Sequence, residues 1–210
     1  LPRELRFAAL LPLKDNLGSL RVPLVTLSLI AASVVLWIAD WSPDLADTWW
    51  PLAAIASLFV TGGFWALVVN MLFLWLFAKS LEDTLGPGRF LVLFLVAGIG
   101  AAGAQELFDS GTVAPSVGVA GGIAGLIGAY ELLYPRARIL CWVLIPFFVS
   151  FVEIPAMVLA AAWFALQALD AVGQPPLSGL IGGLIVGGVT VRLLAHGRPR
   201  ITPEVSQPVY

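Results

Sequence analysis

Six apolar stretches decide what this chain can become. They run near Val22–Ala39, Gly63–Phe77, Phe90–Leu107, Pro115–Tyr134, Phe151–Val172 and Leu177–Leu194. A helix that crosses the hydrocarbon core of a bilayer needs about 20 apolar residues. Within lipid its backbone groups must pair inside the segment, which selects helices. The rest of the chain supplies little that water would solvate: 11 basic and 13 acidic side chains in 210 residues. A soluble domain carries about a quarter of its residues as charges. A chain that is 60% hydrophobic also exceeds what one water-soluble core of this size can hide. The expected fold class is therefore an all-α polytopic membrane protein, a bundle of six transmembrane helices whose first partner is the lipid bilayer. A net charge of −2 speaks against a nucleic-acid partner.

The scarce basic residues test the count of six. Arg3, Arg6, Lys14 and Arg21 precede the first stretch, and Lys79 and Arg89 lie between the second and third. Arg136 and Arg138 lie between the fourth and fifth, and Arg192, Arg198 and Arg200 close the chain. The other connections hold Asp40, Asp44, Asp47, Asp109 and, near a helix end, Asp170. Six spans with both termini in the cytoplasm put every basic residue on one side, as positive-inside orientation requires. A seventh span would spoil this. Trp49–Thr61 is short and reads as an interfacial helix in the first outer loop, anchored by Trp49 and Trp50. Ile139–Ser150, broken by Pro146 and flanked by Arg136, Arg138 and Glu153, reads as an interfacial segment on the cytoplasmic side. The expected layout is a cytoplasmic N-terminal segment over 1–21, the membrane domain over 22–196 and an extended cytoplasmic tail over 197–210. The first stretch is long enough to stay in the membrane and lacks a cleavage site. The chain starts at Leu1, so some native N-terminal residues are expected to precede it.

Lipid does not drive helices together, so close packing and polar contacts must. In the fourth stretch Gly118 and Gly122 are four apart, as are Gly121 and Gly125. In the sixth, Gly179, Gly183 and Gly187 form a ridge at the same spacing. These predict a tight crossing, either as scaffold alone or as the place where a reactive group is held. The second stretch has aromatics instead, Trp65, Phe73, Trp75 and Phe77, which suit lipid contact or packing. Glu106, Glu131, Glu153 and Asp170 fall near span ends, where solvation or pairing is the plain reading of each.

Several runs resemble the rhomboid family. Pro12–Asn16 resembles the start of many bacterial members. Asn70–Phe77, followed by Leu81–Gly86, resembles the family's second span. Gly118–Gly125 occupies the place of the Gly-x-Ser-Gly motif, and Tyr134–Arg138, Glu153–Ala156 and Ile181–Gly183 follow in order. The resemblance implies a six-span rhomboid-like bundle. In that family a serine on the fourth span is the nucleophile and a histidine on the sixth is its base. A histidine and an asparagine four apart on the second span stabilise the oxyanion. A serine hydroxyl needs an adjacent base, and the developing charge needs donors already in place.

Carried over position by position, the resemblance implies that most of this machinery is missing. The nucleophile position is Ala120, the base position is Leu180 and the oxyanion histidine is Ala66; only Asn70 is retained. Thr61 stands where many members have a further histidine. A single engineered Ser→Ala change would explain Ala120 alone. No replacement chemistry is evident. Lys14 and Lys79 lie at the cytoplasmic side, a zinc site needs more than the lone His196, and Ser116 and Ser178 have no base beside them. No metal and no cofactor are expected. A lone Cys141 makes no intrachain disulfide.

The expected role is non-catalytic: binding transmembrane helices of partner or client proteins at a lateral gate between the second and fifth spans, with Trp65 and Trp163 as candidate contacts. One alternative is a permanent structural or accessory subunit of a larger membrane complex. A minor one is a rhomboid-type protease with a displaced site. The expected location is a bacterial cytoplasmic membrane.

Overall fold

The fold is described by a computed structural model for residues 14–15, 22–40, 49–61, 63–108, 118–145, 148–170 and 177–195. In chain order the elements are β1 (Lys14–Asp15), α1 (Leu24–Ile38), α2 (Trp50–Ser57), α3 (Phe64–Leu85), α4 (Pro87–Phe108), α5 (Gly118–Leu133), β2 (Arg138–Ile145), β3 (Phe148–Pro155), α6 (Ala156–Asp170) and α7 (Leu177–Leu194). His196, Ser116, Asp44, Asp47, Asp109 and the tail over 197–210 lie outside the described residues, as do all basic residues of the N-terminal segment except Lys14.

Six apolar helices correspond to the six apolar stretches, and their lengths differ. α3, α4 and α7, with 22, 22 and 18 residues, are long and apolar enough to cross a membrane. α1, α5 and α6 are shorter apolar helices of 15, 16 and 15 residues. The Trp49–Thr61 stretch contains α2, an eight-residue helix with Pro51 in its first turn, where a missing N–H costs nothing.

The all-α expectation needs a correction. The segment expected to lie flat at the interface is a β-hairpin, paired from Arg138↔Pro155 to Ile145↔Phe148. β1 adds to the other edge of β2 through Lys14↔Leu140 and Asp15↔Ile139, giving the order β1-β2-β3. The hairpin is rich in Ile, Val, Trp and Phe, which suit a pleated surface. The run is apolar at nearly every position, so periodicity alone does not separate strand from helix. The helix of the fifth apolar stretch, α6, consequently begins at Ala156 rather than at Phe151. Pro155 ends β3, and the Ala156 N–H donates to the Ala137 carbonyl at 3.1 Å.

The helix of the second apolar stretch, α3, runs past its expected end at Phe77 to Leu85. Its last turns contain Lys79, Glu82 and Asp83, which read as the start of a polar connection. Glu82 stays in the helix because its side chain is buried and bonded. Its carboxylate accepts from Val25 N (2.9 Å), Thr26 N (2.8 Å) and Thr26 Oγ1 (2.7 Å). An acid on α3 thus caps the start of α1, whose own N-cap, Pro23, provides no side-chain hydrogen bond. The first-turn amides of a helix lack intrahelical partners and favour a negative group. Gly86, at φ 81°, then stops α3 and lets α4 begin at Pro87.

The same end of the bundle collects further ties. The Thr84 hydroxyl bonds the Tyr134 hydroxyl beyond α5, and Arg89 of α4 donates to the Leu194 carbonyl at the end of α7 (3.1 Å). The start of α1, the end of α3, the start of α4 and the ends of α5 and α7 therefore lie together.

Candidate functional site

α7 packs chiefly against α4 and α5, and small residues set how closely. A Cβ on Gly183 would sit 2.5 Å from the Gly121 carbonyl oxygen, and one on Gly187 would meet the backbone of Gly125. Backbone lies against backbone at this crossing, which is what residues small at i and i+4 permit. Gly122 takes the Phe94 ring of α4, and Gly179 is buried. Gly118, at φ 59°, abuts the Val60 carbonyl.

The other wall of this seam is not marked by glycine spacing alone. Gly100 of α4 receives Val186, Gly182 receives Ala104, and Gly98 receives Leu58 from the segment after α2. Gly100 and Ala104 are four apart, as are Ala97 and Ala101, so a search admitting alanine beside glycine finds the third helix too. Gly128 and Gly188 continue the α5–α7 contact, against Leu184 and Leu132 respectively.

Ala120 and Leu180 flank this crossing. Ala120 precedes Gly121, and Leu180 lies one turn before Gly183. They are 5% and 0% exposed and belong to one apolar core. A methyl and an isobutyl group neither attack a carbonyl nor move a proton. α3 runs beside α5, tied by Phe77 on Tyr130 (ring centroids 5.0 Å) and by Thr84 on Tyr134. Counting back along both helices from Phe77 and Tyr130 puts Asn70 about level with Ile123, one turn from Ala120. Asn70 is 4% exposed, and its Oδ1 has no hydrogen-bond partner among the described residues. Ala66, one turn earlier, is half-buried, and the Thr61 hydroxyl oxygen before the helix is buried without a partner among the described residues.

The two candidate gate residues differ. Trp65 is 75% exposed at the start of α3, edge-on to Phe64 at 5.4 Å. Trp163 on α6 is fully buried. Its ring lies 6.2 Å from that of Phe73 on α3 and 5.1 Å from Phe164, and its indole N–H has no partner among the described residues. It fills the seam between α3 and α6 instead of lining an open surface. Trp49 is exposed just before α2, and Trp50 opens that helix. No group of three or more potential metal ligands occurs among the described residues.

The family model for the rhomboid domain matches residues 46–196, most of the chain. The chain belongs to the rhomboid family. It is an integral membrane protein of mostly helical fold. It is 36% identical over 98 residues to Rhomboid protein 1, mitochondrial, of Saccharomyces cerevisiae, covering 44% of this chain and 28% of that protein. It is 37% identical over 108 residues to the putative rhomboid protease YdcA of Bacillus subtilis, covering 49% and 52%. It is 33% identical over 111 residues to Presenilin-associated rhomboid-like protein A, mitochondrial, of Danio rerio, covering 51% and 26%. The chain thus spans about half or less of the length of these curated relatives.

Proposed function

We propose that this rhomboid carries out no peptide hydrolysis and instead binds transmembrane helices of other membrane proteins at the α3–α6 seam. The observation that carries the reading is the pair Ala120 and Leu180, buried and apolar on either side of the α5–α7 crossing; the sequence resemblance sets them at the family's nucleophile and base positions. Asn70 alone of the corresponding polar groups is retained, and one donor without nucleophile or base makes no acyl-transfer site. The name of one of these relatives, YdcA, contains the word protease, and loss of the dyad would separate this chain from that activity. The seam is the surface a helix could enter. It is closed by aromatic side chains, and α6 presents Met157, Val158 and Leu169 outward. On this reading six helices cross a bacterial cytoplasmic membrane, both termini are cytoplasmic, and α2 lies at the outer interface with Trp49 and Trp50 as anchors.

The test has two parts. The purified chain in liposomes, incubated with a helical rhomboid substrate, is expected to leave it intact. Cleavage would overturn the non-catalytic reading. In native membranes, Trp65→Cys is expected to crosslink to a helix of another protein, while Ile181→Cys on the outer face of α7 is not. Equal crosslinking at both positions would overturn the seam as the binding surface.

A further inference from the structure

The β2–β3 hairpin follows α5 at the end of the bundle where α3, α5 and α7 finish. Its root is tied in: Ile139 is buried in the core, and the Ala156 N–H bonds the Ala137 carbonyl. Beyond the root it leaves the helices. Among the described residues only α6, which continues β3, packs on either strand to more than a marginal extent. Faces alternate along a strand, so the register assigns each residue to one of two faces. Ile139, Cys141, Val143 and Ile145 of β2 share a face with the β3 residues opposite them, and in that set Ser150 alone carries a hydroxyl. The other face carries the Arg138–Glu153 ion pair at the root, with both side chains exposed, and Trp142 opposite Phe151 further out. The first face thus starts on a core residue and runs outward almost without polar groups, a surface that needs cover. The outer edge of β3 pairs with no strand among the described residues, and its N–H and C=O groups need partners. An open edge is not stable in the hydrocarbon core. The boundary between acyl chains and headgroups offers both an apolar bed and water.

We propose that the hairpin lies on the bilayer at this end of the bundle, with the Cys141–Val152 face on the acyl chains and the Trp142–Phe151 face level with the headgroups. Continuity selects lipid as the occupant. The chain is an integral membrane protein, and β3 runs directly into α6, whose first residues Met157 and Val158 are exposed and apolar. Charge agrees: Arg136 and Arg138 are exposed at the root, where phosphates lie, and tryptophan favours the headgroup level. The hairpin is then a lateral arm that rests the start of α6 on the leaflet. This inference rests on membrane residence alone and is independent of helix binding at the α3–α6 seam.

The experiment is spin-label depth measurement on the full chain in vesicles of phosphatidylethanolamine and phosphatidylglycerol, with oxygen and a water-soluble nickel chelate as relaxants. Cys141 is the only cysteine of the chain, so the native sequence carries the first label. That label is expected to be open to oxygen, shielded from nickel and about 5–10 Å below the phosphates. A label on Trp142→Cys, in a Cys141→Ser background, should lie shallower and meet nickel. Val143→Glu, on the face assigned to the acyl chains, should shift the Cys141 label toward nickel, and Leu144→Glu on the other face should shift it less. Thermal unfolding of both variants in mild detergent should stay close to that of the native chain, which separates lifting of the hairpin from a folding defect. The unsubstituted chain gives the depth of Cys141 whatever the variants do. Full nickel access at Cys141, equal depth at positions 141 and 142, or equal shifts in the two glutamate variants would overturn the proposal. A Cys141 label shielded from both relaxants would show protein cover, and dipolar broadening between labels would identify that cover as a second copy paired along β3. Either result would overturn the proposal too.

Discussion

The α5–α7 crossing and the α3–α6 seam join helices of similar composition in opposite ways. At the crossing the side chains have been removed. Gly121, Gly125, Gly183 and Gly187 bring one backbone onto the other, and α4 closes the third side with Gly100 and Ala104. At the seam the side chains do everything. Trp163 and Phe73 meet at 6.2 Å, and α6 reaches the rest of the bundle mainly through its neighbours β3 and α5. A backbone contact has no rotamers and cannot yield by degrees. An aromatic contact can be remade with another ring or another helix. A bundle meant to admit a partner would place the first kind of contact in its frame and the second at its entrance.

The sharpest break of this comparison is Gly187→Leu. The new side chain would start inside the Gly125 backbone, and overpacking of a rigid site costs about 3 kcal/mol or more. Thermal unfolding in mild detergent should show a larger loss for this change than for Glu82→Ala or Trp163→Ala. Glu82→Ala comes second. It removes the acceptor of three hydrogen bonds from α1, and we expect a loss of about 2 kcal/mol, with Glu82→Gln between it and the native chain because one acceptor oxygen remains. Trp163→Ala should have the smallest effect, below the roughly 3 kcal/mol of a buried cavity that cannot refill, because lipid tails or neighbouring rings can take up the space. The same change should raise accessibility of a Phe73→Cys probe to a membrane-soluble thiol reagent. If Trp163→Ala destabilised as much as Gly187→Leu, the seam would be part of the frame and the contrast would fail.

The apolar helices were legible because the period and length of a membrane segment are written in hydropathy. The hairpin was not, because Ile139–Ile145 is apolar on both faces and shows no alternation. The true end of α3 was hidden for the opposite reason. Lys79, Glu82 and Asp83 look like a loop, and only the start of α1, far away in sequence, explains why Glu82 is buried in a helix. The glycine crossing was visible on α5 and α7, while α4 was missed because alanine carries half of its pattern. At the candidate site, Ala120 and Leu180 have no chemical signature of their own. Position relative to a family motif singles them out, and the fold adds that both are buried beside one crossing.

The carboxylate that caps α1 has a consequence for how the protein is made. Glu82 stands 56 residues after Thr26, the residue whose amide and hydroxyl it accepts. At synthesis rates of about 5–20 residues per second, the start of α1 waits roughly 3–11 s for the group that completes it. During that interval its open amides must be served by water, by lipid headgroups or by the insertion machinery. The start of α1 is therefore finished only when the end of α3 has been made.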